Sequence, residues 1–172
     1  MNAKHATAHA LQVRAPARLH MGFMDLDGSL GRRFGSVGLT LDGLSTVVEI
    51  RPSDTLEVSG HDSERAYRYA RALSQRFELP ASRITLLDAI PSHSGLGSGT
   101  QLALAVGMAM SRMYGLDLGS RDVARLLDRG ARSGIGIGSF DSGGFLVDGG
   151  RGSRDEPPHI VAQMRFPQDW RM

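Results

Sequence analysis

Cysteine is absent from the 172 residues, which excludes disulfides and thiolate zinc sites and makes a reducing, cytoplasmic compartment the expectation. Lysine is nearly absent too: nineteen of the twenty basic residues are arginine, and Lys4 is the one exception. A reaction that needs a lysine would therefore fall on a frayed terminus, and any fixed cation must be an arginine, suited to bidentate contacts with phosphate or carboxylate. No apolar run reaches the length of a membrane span, and the opening MNAKHATAHA has no apolar signal core, so neither a membrane nor an export route is expected. A net charge of +2 is too small for a nucleic-acid surface. Internal repeats and long low-complexity tracts are missing. What is left is a chain long enough for one domain with a sizeable core.

The densest information lies in residues 91–107, PSHSGLGSGTQLALAVG, a glycine-rich loop running into an almost wholly apolar helix. Gly95, Gly97 and Gly99 permit positive φ and close approach of a ligand to the backbone. The first-turn N–H groups and dipole of the following helix favour an anion there, and Ser94, Ser98 and Thr100 add hydroxyls. No Gly-Lys-Ser/Thr follows, so this is not a Walker loop. The plainer alternative is a tight strand-to-helix turn capped by Ser98.

Around that loop the pattern predicts strands over 11–20, 35–41, 45–51, 55–59, 83–89, 144–148 and 159–166. Helices are predicted over 62–78, with Ala66, Tyr69, Ala70, Leu73 and Phe77 on one face, over 99–114, apolar all round and hence buried, and from an N-cap at Ser120 to Arg129. Residues 132–150, RSGIGIGSFDSGGFLVDGG, read as a second glycine-rich loop sharing a pocket with the first. The order gives an α+β sandwich. Trp170, so near the last residue with nothing after it to pack against, implies the N-terminal half of a longer protein. The division expected is a disordered 1–9, a domain over 10–158, and a strand over 159–172 leading into a truncated or absent C-terminal domain.

Among chemistry-bearing residues, Asp141 sits between Ser139, Ser142 and paired glycines, where a carboxylate meets a ligand or caps a turn. Arg132 and Ser133 precede it and suit an anion or a solvated helix end. His20 and His93 adjoin the glycine-rich segments, whereas His5, His9, His61 and His159 read as surface residues. Arg18, His20, Asp25, Arg32 and Arg33 cluster around an irregular hairpin segment. No HExxH or histidine cluster marks a metal site, so the metal ligands stay unassigned.

Three separated segments, APARLHMGFMDLDGSLGRRFGSVGL (15–39), HSGLGSGTQLALAVG (93–107) and RSGIGIGSFDSGGFLVDGG (132–150), together resemble the β-ribofuranosylaminobenzene 5′-phosphate synthase family. Within them, Pro91 to Gly99 resembles the P-x-x-x-G-L-G-S-S motif of the wider GHMP kinase superfamily. The resemblance implies a GHMP-type N-terminal domain like domain 2 of ribosomal protein S5, normally followed by a ferredoxin-like C-terminal domain that this sequence does not extend into. It implies condensation of phosphoribosyl pyrophosphate with 4-aminobenzoate or a close relative, releasing CO2 and pyrophosphate on the way to methanopterin-type carriers. Mg2+ is the implied cofactor, and a homodimer fits the superfamily.

Carried onto these residues, the resemblance implies that Ser94, Gly95, Leu96, Gly97, Ser98, Gly99 and Thr100 hold the pyrophosphate. Asp141 or Asp25 would face the oxocarbenium-like ribose centre, with His20 also in the catalytic set. Arg18, Arg32 and Arg132 would bind the 5′-phosphate and the benzoate carboxylate. Three departures turn the reading from an ATP-dependent small-molecule kinase: Gly99 replaces the motif's second serine, no lysine occupies the N-terminal motif, and the nearest acid before the second loop is Asp128. Asp141, by contrast, matches the position of the kinases' catalytic aspartate. A non-catalytic module binding a sugar phosphate is the third reading.

Overall fold

The computed structural model describes residues 9–29, 31–152, 156–167 and 169–170. Lys4, most of the stretch expected to be disordered, and residues 153–155 of the polar loop lie outside that range. Two long strands dominate: β1 (Leu11–Asp25) and β2 (Phe34–Pro52) form an antiparallel hairpin. On its other edge β2 pairs β4 (Ser82–Asp88) through residues 47–52 and β5 (Phe145–Asp148) through residues 36–39. β3 (Glu57–Gly60) runs parallel to β4, and β6 (Ile160–Met164) lies antiparallel to β5, giving the order β3-β4-β2-β5-β6 with β1 on β2.

The predicted break between 41 and 45 is present, but as an irregularity inside one strand. Pairing steps from Pro16↔Ser45 to Arg18↔Thr40, and Gly43, at φ 83°, takes up the extra residues of β2. The hairpin also extends past the predicted end at His20 to Asp25.

Helices cover the sheet. α1 (Ser63–Phe77) buries Ala66, Tyr69, Ala70 and Leu73, the face that the spacing predicts. α2 (Ser98–Met113) has thirteen of its sixteen residues buried, so it is the core's central strut rather than a surface helix. It packs between β1 and β2, α1 and the two short helices α3 (Ser120–Leu126) and α4 (Ile135–Asp141). Gly107 lets α3 approach: a β-carbon there would stand 2.3 Å from Val123 Cγ1.

Two expectations need correction. Ser120 is not an N-cap; Gly119 holds that place, with its N–H donating to Asp122 Oδ2 at 3.1 Å, and α3 ends at Leu126, short of Arg129. The second glycine-rich stretch is not one loop, because α4 and β5 together take up more than half of it. Its glycines meet neighbours at a distance no side chain allows: a β-carbon on Gly136 would fall 2.9 Å from Thr100 Cγ2, and Ile135 lies over Gly38 with 2.3 Å to the corresponding position. Tertiary packing overrides the poor helix propensity of glycine here.

Candidate functional site

β4 delivers the chain into the glycine-rich turn at the head of α2. Gly95 and Gly97 adopt φ of 79° and 85°, and Gly97, not Ser98, occupies the N-cap. No side chain caps this helix. The first helical bond is Gln101 N–H to Gly97 O at 3.0 Å, so the amides of Ser98, Gly99 and Thr100 lie ahead of the ladder. Ser98 is buried as the first helical residue, whereas Ser94 is exposed and its hydroxyl donates to Pro91 O at 2.7 Å, stiffening the turn. Around Gly95 a β-carbon would meet nothing within 4 Å.

Arg18 lies across this turn. Its backbone N–H donates to Leu96 O at 3.1 Å and its Nη1 to Gly95 O at 2.7 Å, while its Cζ and Nε stand 3.1 Å from where a Gly97 β-carbon would be. Burial lowers the pKa of its guanidinium from the ordinary value. Two residues along β1, His20 has its Nε2 buried without a partner, and its ring lies 4.6 Å from that of Phe23. Burial first, then the Arg18 charge, pull the imidazole pKa down, against an opposing pull from Asp148. The imidazole is therefore held towards its neutral form.

Two further arginines reach the same helix head, and the sequence reading did not single them out. Arg65, from α1, is fixed by Nη2, which donates to Asp62 and, at 3.3 Å, to Ser92 Oγ. Arg129, after α3, is fixed by Nε and Nη2, donating to Tyr69 Oη at 3.0 and 2.6 Å. The Nη1 atoms of both lie within 4.0 Å of the β-carbon position on Gly99. Only the folded chain brings α1 and the α3–α4 connection to Gly99, so residue spacing carried no signal of it.

The other expected site residues are distributed differently. Asp25 is buried and its Oδ1 accepts the N–H groups of Gly28 at 2.8 Å and Ser29 at 3.2 Å, closing the hairpin turn. Arg32 donates Nε to Gly149 O at 2.7 Å and Nη2 to Gly150 O at 2.8 Å, clasping the segment after β5. Arg132 is exposed, with no bond of its own among the described residues. Asp141 is exposed at the end of α4 and accepts the Ser120 hydroxyl at 2.7 Å. The two glycine-rich stretches do meet, but as packed helices at Gly136 and Thr100 rather than around a shared pocket. Asp141 stands roughly 7.5 Å further along the α4 axis, at 1.5 Å per residue. Close to it, Ser142–Gly144 line a groove of about 910 Å³ with Thr40, Gln163 and Trp170.

An unanticipated carboxylate organises the space between. Asp148 is fully buried and accepts five donors: the N–H groups of Ser36 (3.1 Å), Gly134 (2.9 Å) and Gly150 (2.9 Å) and the hydroxyls of Ser36 and Ser133. It ties β2, β5 and the start of α4 together. Among the described residues no group of three or more His, Asp or Glu side chains gathers as a metal shell. The donors at the glycine turn are amides and arginines, which fit an anion rather than Mg2+.

Residues 64–147 match the family described as GHMP kinases N terminal domain. The chain belongs to the GHMP kinase superfamily. Within it, three archaeal relatives bear the name β-ribofuranosylphenol 5′-phosphate synthase. The chain is 38% identical to that of Archaeoglobus fulgidus, aligning 93% of itself with 55% of that protein, and 38% identical to that of Methanocaldococcus jannaschii, over 80% of itself and 46% of that protein. These relatives bear out the synthase family that the three segments resemble. The chain spans about half the length of the relatives it matches. The fold agrees with that of a crystallised 4-(cytidine 5′-diphospho)-2C-methyl-D-erythritol kinase, at a TM-score of 0.63 and 23% identity over 88% of this chain and 55% of the kinase. Among the described residues no helix is long and apolar enough to cross a membrane.

Proposed function

We propose that the whole protein joins the ribose of phosphoribosyl pyrophosphate to a para-substituted benzoate, forming a C-riboside 5′-phosphate. In this step the bond from ribose C1 to the pyrophosphate oxygen breaks, and that electron pair leaves with the pyrophosphate. The bond from ring carbon to carboxylate breaks as well, and its pair forms the new bond to C1 while CO2 departs. Atoms and charge balance without an external oxidant or base.

One observation carries this reading on the protein side: Arg18 lies across Gly95–Gly97, next to the uncapped amides of Ser98, Gly99 and Thr100, a setting that suits charge developing on a departing pyrophosphate. The exposed Asp141 carboxylate, oriented by Ser120, is the group we assign to the cationic ribose centre, and the exposed Arg132 to an anionic end of a substrate. Asp25 and Arg32 we assign to shaping the hairpin beside them. The expected Mg2+ would enter with the pyrophosphate, since the turn offers it no carboxylate. The relatives' name carries a phenol, so 4-hydroxybenzoate stands beside 4-aminobenzoate as the acceptor.

Full-length protein incubated with phosphoribosyl pyrophosphate and each carboxyl-labelled benzoate is expected to release labelled CO2 with one of them. Release from neither, with ATP consumed on a hydroxyl substrate, would make the protein a small-molecule kinase. Saturable sugar-phosphate binding without either activity would make it a binding module. Residues 1–172 alone are expected not to turn over, and robust turnover by them would contradict this.

A further inference from the structure

We propose that Arg65 and Arg129 form a second anion subsite beside Gly99, so that the head of α2 accepts both phosphates of a diphosphate: one at Arg18 and Gly95–Gly97, the other at Gly99. The inference rests on the glycine turn taking an anion at all, and goes beyond that reading in fixing which groups divide the ligand.

The geometry of the two guanidinium groups carries it. Each is anchored through its Nη2, Arg65 on Asp62 and Ser92, Arg129 on Tyr69, and Arg129 adds its Nε. Each is thereby turned so that Nη1, without an acceptor among the described residues, comes within 4.0 Å of one point, the missing β-carbon of Gly99. Asp62 balances the charge of Arg65, but Arg129 is held by a neutral hydroxyl and the Tyr69 ring face, 5.5 Å from its Cζ. Among the described residues no ion pair takes Arg129. The uncompensated charge of Arg129 therefore lies beside the Asp62-paired Arg65 at the positive end of a helix, and an anion between the two guanidinium groups would balance it. Nitrogen donors fanned around an open point match the tetrahedral oxygens of a phosphate. Glycine at position 99 keeps the point open: the nearest arginine atom is 3.6 Å from a β-carbon there, so a small side chain fits only by occupying the subsite.

Calorimetric titration of the chain with pyrophosphate and with inorganic phosphate tests this. Pyrophosphate is expected to bind at least about tenfold more tightly, the worth of one charge-assisted hydrogen bond. Arg129→Gln should remove about that factor for pyrophosphate and leave inorganic phosphate within about threefold. Because Arg129→Gln also loses the Tyr69 bonds, Gly99→Asp provides a second reading that does not depend on them. Its carboxylate would lie against both arginines, raise Tm, and compete pyrophosphate away. Equal affinity for the two anions, or unchanged pyrophosphate affinity in both variants, would overturn the subsite. Loss of pyrophosphate binding in both variants alongside a full-length protein that releases no CO2 would leave the subsite standing and remove the proposed reaction. CO2 release with unaltered pyrophosphate inhibition in Arg129→Gln would do the reverse.

Discussion

At the scale of single residues, Gly97 ties a left-handed backbone conformation to the placement of Arg18. A side chain there must adopt φ near 85° and displace Arg18 from 3.1 Å. Gly97→Val is expected to abolish pyrophosphate binding, read as loss of inhibition by added pyrophosphate; undiminished inhibition would place the anion elsewhere. Asp148 is the opposite case, a purely structural acid. Asp148→Asn faces five donors with one acceptor oxygen fewer and a donating NH2, a loss of about 3 kcal/mol or more. That corresponds to a fall in Tm of roughly 10 °C for a chain of this size. Asp141→Asn should behave in reverse, cutting turnover far more than Tm, because it is exposed and has one side-chain bond to keep.

His20 supplies a pH dependence. Its folded pKa lies below its ordinary value of 6.5, so the unfolded chain binds the proton more readily. Stability from this group is complete above about 6.5, declines as pH drops through that value, and levels off below the folded pKa. Replacing His20 with Gln should flatten the decline in Tm between neutral and mildly acidic pH, and an unaltered slope would count against it. The glycines and hydroxyls of 94–100 were legible because they set local backbone geometry. Arg65, Arg129 and Asp148 were not, since each gains its meaning from partners remote in sequence.

At the scale of elements, the amphipathic α1 and the almost wholly apolar α2 could be read directly from their residue patterns. α4 could not, because its glycines at 134, 136 and 138 signal a loop to any local rule. They are there to admit neighbours: Pro158 O, Thr100 and Ile160 all lie closer than 3.0 Å to the β-carbon positions. The Asp42–Leu44 interruption of β2 was legible as a break, but the register that absorbs it depends on β1. Helix packing at this tightness has a measurable counterpart. Gly107→Ala raises helix propensity by about 1 kcal/mol, yet its methyl would stand 2.3 Å from the stiff Val123 side chain. Overpacking of about 1–3 kcal/mol should outweigh the gain and lower the urea midpoint. A raised midpoint would mean that α3 moves away freely.

At the scale of the molecule, α2 connects everything: its head faces the arginines, its flank buries β1 and β2, and its later turns receive α3. That helix begins with no side chain to satisfy its leading amides, where a serine or aspartate would ordinarily contribute about 1 kcal/mol. On the proposed reading, an anion from solution would supply the missing cap. An anion bound at the turn would complete the element on which the core is assembled, linking occupancy to folding. Pyrophosphate at about 100 times its Kd should add roughly 2.7 kcal/mol and raise Tm by several degrees, which a thermal-shift titration would detect. On the proposed reaction, the same linkage would make the chain's resistance to heat or protease a gauge of the pyrophosphate released.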